Sequence, residues 1–70
     1  MYIQRAIREA MQCGGRITRS AFRDVIQIEP TDSAQGFILH AEGVAPGARW
    51  QPGAKDLLAD DWEVTTEVWT

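Results

Sequence analysis

The sequence predicts one α+β domain over residues 1–70: an N-terminal amphipathic helix packed on a small, mostly antiparallel sheet, with a short helix before the last strand. Three observations predict it. Apolar residues recur at helical spacing near the N-terminus, and the period falls to two after a Gly-Gly pair. A Pro-Gly turn then introduces a short helical segment just before a final alternating run.

From Tyr2 to Gln12 the apolar residues Ile3, Ala6, Ile7, Ala10 and Met11 form one stripe, with Gln4, Arg5, Arg8, Glu9 and Gln12 off it. Gly14-Gly15 stops this helix, because glycine enters the left-handed C-terminal cap without a Cβ clash. Arg16, Thr18 and Ser20 alternate with Ile17 and Arg19, which predicts a short strand over Ile17–Arg19. The β-branched Val25, Ile26 and Ile28 predict a second strand, Asp24–Glu29. Pro30–Gln35 reads as a turn and Gly36–Ala41 as a third strand, so residues 24–41 form a hairpin. Gly43–Gly47 is loop, and Pro52-Gly53 opens a helix over Ala54–Ala59. Trp62, Val64, Thr66 and Val68 alternate along a last strand, Asp61–Val68.

Composition narrows the function. A chain of 70 residues buries only about 60% of the surface its unfolded form exposes, so it is marginal alone. Cys13 has no second cysteine to bridge, and one Cys with one His does not supply the four ligands of a structural zinc site. With 44% hydrophobic residues, self-association is the expected stabiliser. No bilayer-spanning segment or signal-peptide core is visible, which predicts a cytosolic protein that avoids membranes. The net charge of −3 argues against a nucleic-acid polymer as partner, since that needs a broad basic surface. The charge is uneven: Arg5, Arg8, Arg16, Arg19 and Arg23 lie in the first half, while Asp56, Asp60, Asp61, Glu63 and Glu67 crowd the end.

Four arginines, Arg16, Arg19, Arg23 and Arg49, are candidates to grip phosphate bidentately. On an unbroken strand Arg19 and Arg23 share a face and flank Phe22, which would suit a pyrophosphate beside a stacked base. The competing account is structural ion pairing, Arg19 or Arg49 with Asp56 or Asp61. Among the aromatics, Phe22 and Trp50 are candidate platforms for a nucleobase. Trp62, inside an alternating strand, is expected in the core, and Trp69 at an oligomer contact or on the surface. Asp56 suits the first turn of a helix, where the dipole favours an anion; Asp56 and Asp61 also suit ribose hydroxyls. His40 in an apolar strand reads as a core or interface histidine. Cys13 has no base to make it a catalytic thiol and is expected to be a small buried residue. Catalysis is not expected.

The run from Trp50 to Val64, Trp-Gln-Pro-Gly-Ala-Lys-Asp-Leu-Leu-Ala-Asp-Asp-Trp-Glu-Val, resembles the C-terminal signature W-x-P-S-x-x-D-L-L-A-x-D-W-x-V of a family of very small phage and prophage proteins. That family includes the Thoeris anti-defence proteins and one protein described as an anti-CRISPR. The likeness is dense over the last third of the chain and looser before it. There, Gly14-Gly15, Ile17-Thr18-Arg19 and Phe22 stand where the family has Gly-Lys, V-x-R and tryptophan, while Arg23-Asp24 replaces a glycine-rich segment. The resemblance implies a non-catalytic sponge without a cofactor. It would bind a cyclic ADP-ribose isomer, cyclic dinucleotides or larger cyclic oligonucleotides between subunits of a homo-oligomer, a dimer or tetramer, in the cytoplasm of the infected or lysogenic bacterial host. Its expected ligand-binding residues here are Arg19, Phe22, Arg23, Trp50, Gln51, Pro52, Asp56 and Asp61. The alternative the same family offers is a protein-binding inhibitor of a host defence nuclease.

Overall fold

In a computed structural model that describes residues 1–22, 25–34 and 36–67, the chain runs α1 (Ile3–Cys13), β1 (Arg16–Arg19), β2 (Ile26–Pro30), β3 (Phe37–Ala41), α2 (Ala54–Leu58) and β4 (Trp62–Thr65). The strands form one sheet in the order β3-β2-β1-β4, with every neighbouring pair antiparallel. This is the α+β architecture that the periodicity requires. No helix among the described residues is long and apolar enough to cross a membrane.

Helix α1 buries Ile3, Ala6 and Ala10 of its predicted stripe, with Ile7 half-buried, against β1 and β4. Two of those three are alanines, so helix and sheet approach closely. Gly14 then takes φ 71°, and the N–H groups of Gly14 and Gly15 both return to the Ala10 carbonyl. The stripe therefore belongs to this domain's own core. Its C-terminal end does not: Met11 is exposed, and Cys13, expected buried, is exposed as well. The helix overhangs the sheet there while the chain turns into β1.

Register divides the sheet into two faces. Ile17 lies opposite Ile28 on one side and Val64 on the other, and Arg19 lies opposite Trp62; residues directly opposite share a face. Ile17, Ile28 and Trp62 meet the helix here as the largest fully buried side chains. The other face carries Arg16 opposite Thr65, Thr18 opposite Glu63 and Gln27 opposite His40. Arg16, Thr18 and Gln27 are buried in spite of their polarity. Hydrogen bonds account for them: Thr18 Oγ1 donates to the Ile26 carbonyl at 2.8 Å, Arg16 Nη1 to Gln27 Oε1 at 3.1 Å, and Gln27 Nε2 to the Glu67 carbonyl at 2.6 Å.

Several strand boundaries depart from expectation. Strand β1 stops at Arg19, and the Phe22 carbonyl accepts from both Val25 and Ile26, so Val25 is an exposed turn residue and β2 begins at Ile26. Arg19 and Arg23 thus do not lie on one unbroken strand; Arg23 and Asp24 are outside the described residues. Strand β4 ends at Thr65, and Val68 and Trp69 are likewise outside. The outer side of β3 is paired, and the start of β4 is bonded to the N-terminus. Residues 48–50 run along β3 through Leu39 N to Ala48 O and Trp50 N to Phe37 O, and on β4 the Trp62 N–H donates to the Met1 carbonyl.

The crossing from α1 to the sheet depends on Gly15, whose Cβ would stand 2.7 Å from the Thr65 carbonyl oxygen. Gly15→Ala must move backbone, and overpacking of this kind costs about 1–3 kcal/mol. For a domain this size each kcal/mol lowers Tm by about 4–8 °C. Gly14 has open space around it and is constrained only by its positive φ, so Gly14→Asn, which tolerates that conformation, should melt near the parent. Thermal denaturation of the two variants checks this. Equal melting temperatures for Gly15→Ala and the parent would contradict the close approach.

Candidate functional site

Arg19 organises the end of the sheet at which the predicted site residues gather. Its Nη1 donates to Asp56 Oδ1 at 2.9 Å and its Nε to Asp61 Oδ1 at 2.8 Å. Two further bonds complete the carboxylates: Asp56 Oδ2 accepts the Gly53 N–H at 3.1 Å, and Asp61 Oδ2 accepts the Ser20 hydroxyl at 2.9 Å. The guanidinium also lies 5.8 Å from the Phe22 ring centroid, within cation–π range. This is the ion pairing that the sequence offered as the structural account of Arg19.

The electrostatics follow from the geometry. The bond from Arg19, opposed by partial burial and aided by the Ser20 hydroxyl, holds the Asp61 carboxyl below the usual aspartate range. The same bond holds the Arg19 guanidinium above its already high ordinary value. A carboxylate so engaged is a poor general acid or base at neutral pH, because it stays ionised and its oxygens are already bonded.

The aromatic residues form a row beside this network. Phe22 meets Trp62 edge-on at 6.0 Å, Trp62 meets Trp50 at 5.8 Å, and Trp50 meets Phe37 at 5.6 Å. Edge-to-face pairs at these separations are favourable beyond the area they bury. Trp62 is the core member, 2% exposed, and its indole Nε1 donates to the Asp56 carbonyl at 2.8 Å. Trp50 is half-buried and supports Trp62 from one side.

Of the eight predicted ligand residues, Arg19, Phe22, Trp50, Asp56 and Asp61 therefore meet at one place. Pro52 is half-buried and Gln51 exposed in the segment leading to α2, and Arg23 is outside the described residues. Among the described residues, grooves that open elsewhere on the surface include one of about 360 Å³ lined by Met11, Gly15, Arg16 and Glu29 among others, one of about 390 Å³ by Arg16, His40 and residues 44–47 among others, and one of about 410 Å³ by Tyr2, Gln4, Ile7, Phe37 and Leu57 among others. His40 is not a core residue; its Nε2 lies 2.8 Å from Glu29 Oε1 across the strand pair. Sequence reasoning named Arg16 but not its partner Gln27, whose only signal was its place between Ile26 and Ile28.

The family model described as Thoeris anti-defense 2-like domain matches residues 1–65. No curated protein and no solved structure matches.

The lowered Asp61 gives a pH signature with a definite sign. Stability tied to its ionised form is fully present above the ordinary aspartate value of about 3.9 and is lost as pH falls through the lower value held in the fold. Tm should therefore drop through and below pH of about 4. Asp61→Asn should melt lower than the parent at pH 7 but with a shallower acid decline. Parallel acid declines in melts from pH 7 downward would remove Asp61 from the account.

Proposed function

The chain belongs to the Thoeris anti-defense 2-like family, and from that premise we propose that it is a sponge that binds a cyclic nucleotide immune signal, of the glycocyclic ADP-ribose or cyclic oligonucleotide kind, without cleaving it. The observation that carries this is the family match over residues 1–65, all but the last five of the chain. The engagement of Asp56 and Asp61 by Arg19 supports the non-catalytic part, since two of the three clustered carboxylates a hydrolase would draw on, Asp56, Asp60 and Asp61, are already bonded.

Affinity makes assembly part of the same proposal. A sponge must hold its ligand below the working concentration of the immune effector, which calls for nanomolar binding, about −12 kcal/mol. At about −0.3 kcal/mol per heavy atom for a ligand of this size, most of its atoms must be contacted. Grooves of about 360–410 Å³ sit at the small end of the usual range for ligand sites, about 300–1,000 Å³. A second copy of the chain supplies the missing wall. Leu58 is 77% exposed, Tyr2 63% and Leu57 50%, and Tyr2 and Leu57 line one groove, so this apolar patch is the surface we assign to self-association.

Two measurements test the proposal. Calorimetry with a glycocyclic ADP-ribose isomer and with a cyclic dinucleotide should show nanomolar binding of at least one, and the bound nucleotide should be recovered intact after heat denaturation. Recovery of a cleaved product would make the protein an enzyme. Failure of both probes, with capture of a defence nuclease instead, would favour the protein-binding inhibitor. Leu58→Asp should shift the oligomer towards a monomer of about 7.8 kDa in light scattering coupled to size exclusion, with little change in secondary structure. An unchanged oligomer would assign assembly to another surface.

A further inference from the structure

Helix α2 shows solvent a pattern that is its own complement. None of its five residues is buried, and Leu57 and Leu58 are both exposed, Leu58 the more so. Lys55 near one end and Asp60 just past the other are exposed too. Among the described residues neither side chain enters an ion pair or hydrogen bond. The helix is held from its inner side, where Asp56 takes Arg19 at 2.9 Å and its carbonyl takes the Trp62 indole. Beside it opens the groove of about 410 Å³ that Leu57 lines together with Tyr2, Ile3, Ile7 and Phe37 among others. A protruding leucine next to an apolar groove is a knob beside a hole, and a second copy can fill both reciprocally.

We propose that two copies pair α2 antiparallel across a two-fold axis between Leu57 and Leu58, with each Leu58 seated in the other copy's groove and each Lys55 against the partner's Asp60. This rests on the self-association that the sequestration reading calls for, and it names the contact that makes it. Charge decides the direction. An axis perpendicular to α2 sets Leu57 against the partner's Leu58, and the same reversal carries Lys55 at one end onto the partner's Asp60 at the other. Opposite charges then meet on both flanks of the leucines. An axis along α2 would instead set Lys55 against the partner's Lys55 and Asp60 against the partner's Asp60, which is repulsive at both ends. Exposed ion pairs at a rim add little affinity in themselves. The leucines and the groove supply the apolar burial, and the charges fix orientation. Tyr2, on the groove's rim, is covered by the same contact. Asp56 keeps its bond to Arg19 on the inner side of α2, so pairing leaves that network in place.

Charge reversal tests the direction. Lys55→Glu and Asp60→Lys each place like charges at both ends of the contact, so each alone should raise the dissociation constant of the assembly at least tenfold in sedimentation velocity. Mixed in equal amounts, the two variants should associate with each other, because both ends then carry opposite charges. The double variant Lys55→Glu/Asp60→Lys should recover the parent's assembly. Salt at about 1 M, where the screening length is about 3 Å, should relieve the single variants. Lys55→Glu changes an exposed side chain and should keep the parent's circular dichroism. With its salt response it carries the test alone if Asp60→Lys, whose main-chain carbonyl takes the Met1 amino group, melts early. Single variants that assemble like the parent, or a mixture that gains nothing over its components, overturn the antiparallel contact. If Leu58→Asp dissociates the assembly while the reversals do not, the apolar patch stands and the pairing falls. A parent that stays at about 7.8 kDa at micromolar concentration overturns the pairing and the second wall together. Calorimetry of that monomer with a glycocyclic ADP-ribose isomer then decides sequestration separately.

Discussion

The fold depends on one guanidinium holding two carboxylates. Arg19 is the last residue of β1, and through Asp56 and Asp61 it fastens α2 and the link from it to β4 onto the end of the sheet. That segment has little means of holding itself. Helix α2 has only five residues, none of them buried, and isolated helices far longer than this are marginal in water. Its order comes from outside: Asp56 takes the Gly53 N–H and Arg19 on its side chain and the Trp62 indole on its carbonyl. Because Arg19 lies opposite Trp62 in register, the ion pair and the core tryptophan stand on the same face and stabilise one another.

This gives the family-like run from Trp50 to Val64 a physical meaning. Trp62 fills the core, Trp50 braces it edge-on, Asp56 caps α2, and Asp61 closes the second arm of the arginine. Trp50, Trp62 and Asp56 are thus directly stacked or bonded, and Arg19 ties Asp61 to Asp56. A small domain with six buried hydrophobic residues in its core cluster among the described residues has few other ways to fix a single structure, and a bonded polar network adds specificity where apolar area is scarce.

Much of this was legible in the sequence, and where it was not, the reasons are local. The helix stripe, the Gly14 stop, the 24–41 hairpin and the short helix after Pro52-Gly53 are set by neighbours in sequence, and each formed within a few residues of expectation. Register and the ends of strands are set by tertiary pairing, which is why β2 begins two residues late and β4 ends three early. The candidate site divides the same way. Trp62 in the core and Asp56 in the first helical turn follow from periodicity and the helix dipole. The choice between phosphate and carboxylate as partner of Arg19 was open, because Asp56 and Asp61 come within reach only when β4 pairs with β1. Gln27 gave no warning, since a glutamine between two isoleucines reads as an outward-facing strand residue until something folds over it.

The sheet edges bear on whether further strands can add to this domain. Exposed edges invite addition of further strands, yet residues 48–50 occupy the outer side of β3 and Met1 bonds the outer side of β4. Growth of the sheet across subunits would have to displace those bonds. Association through faces costs none of them, and the apolar surface around Tyr2, Leu57 and Leu58 is a face. The polar side of the sheet lies opposite α1, so a contact made at that apolar surface leaves the hydrogen bonds of Arg16, Thr18 and Gln27 undisturbed.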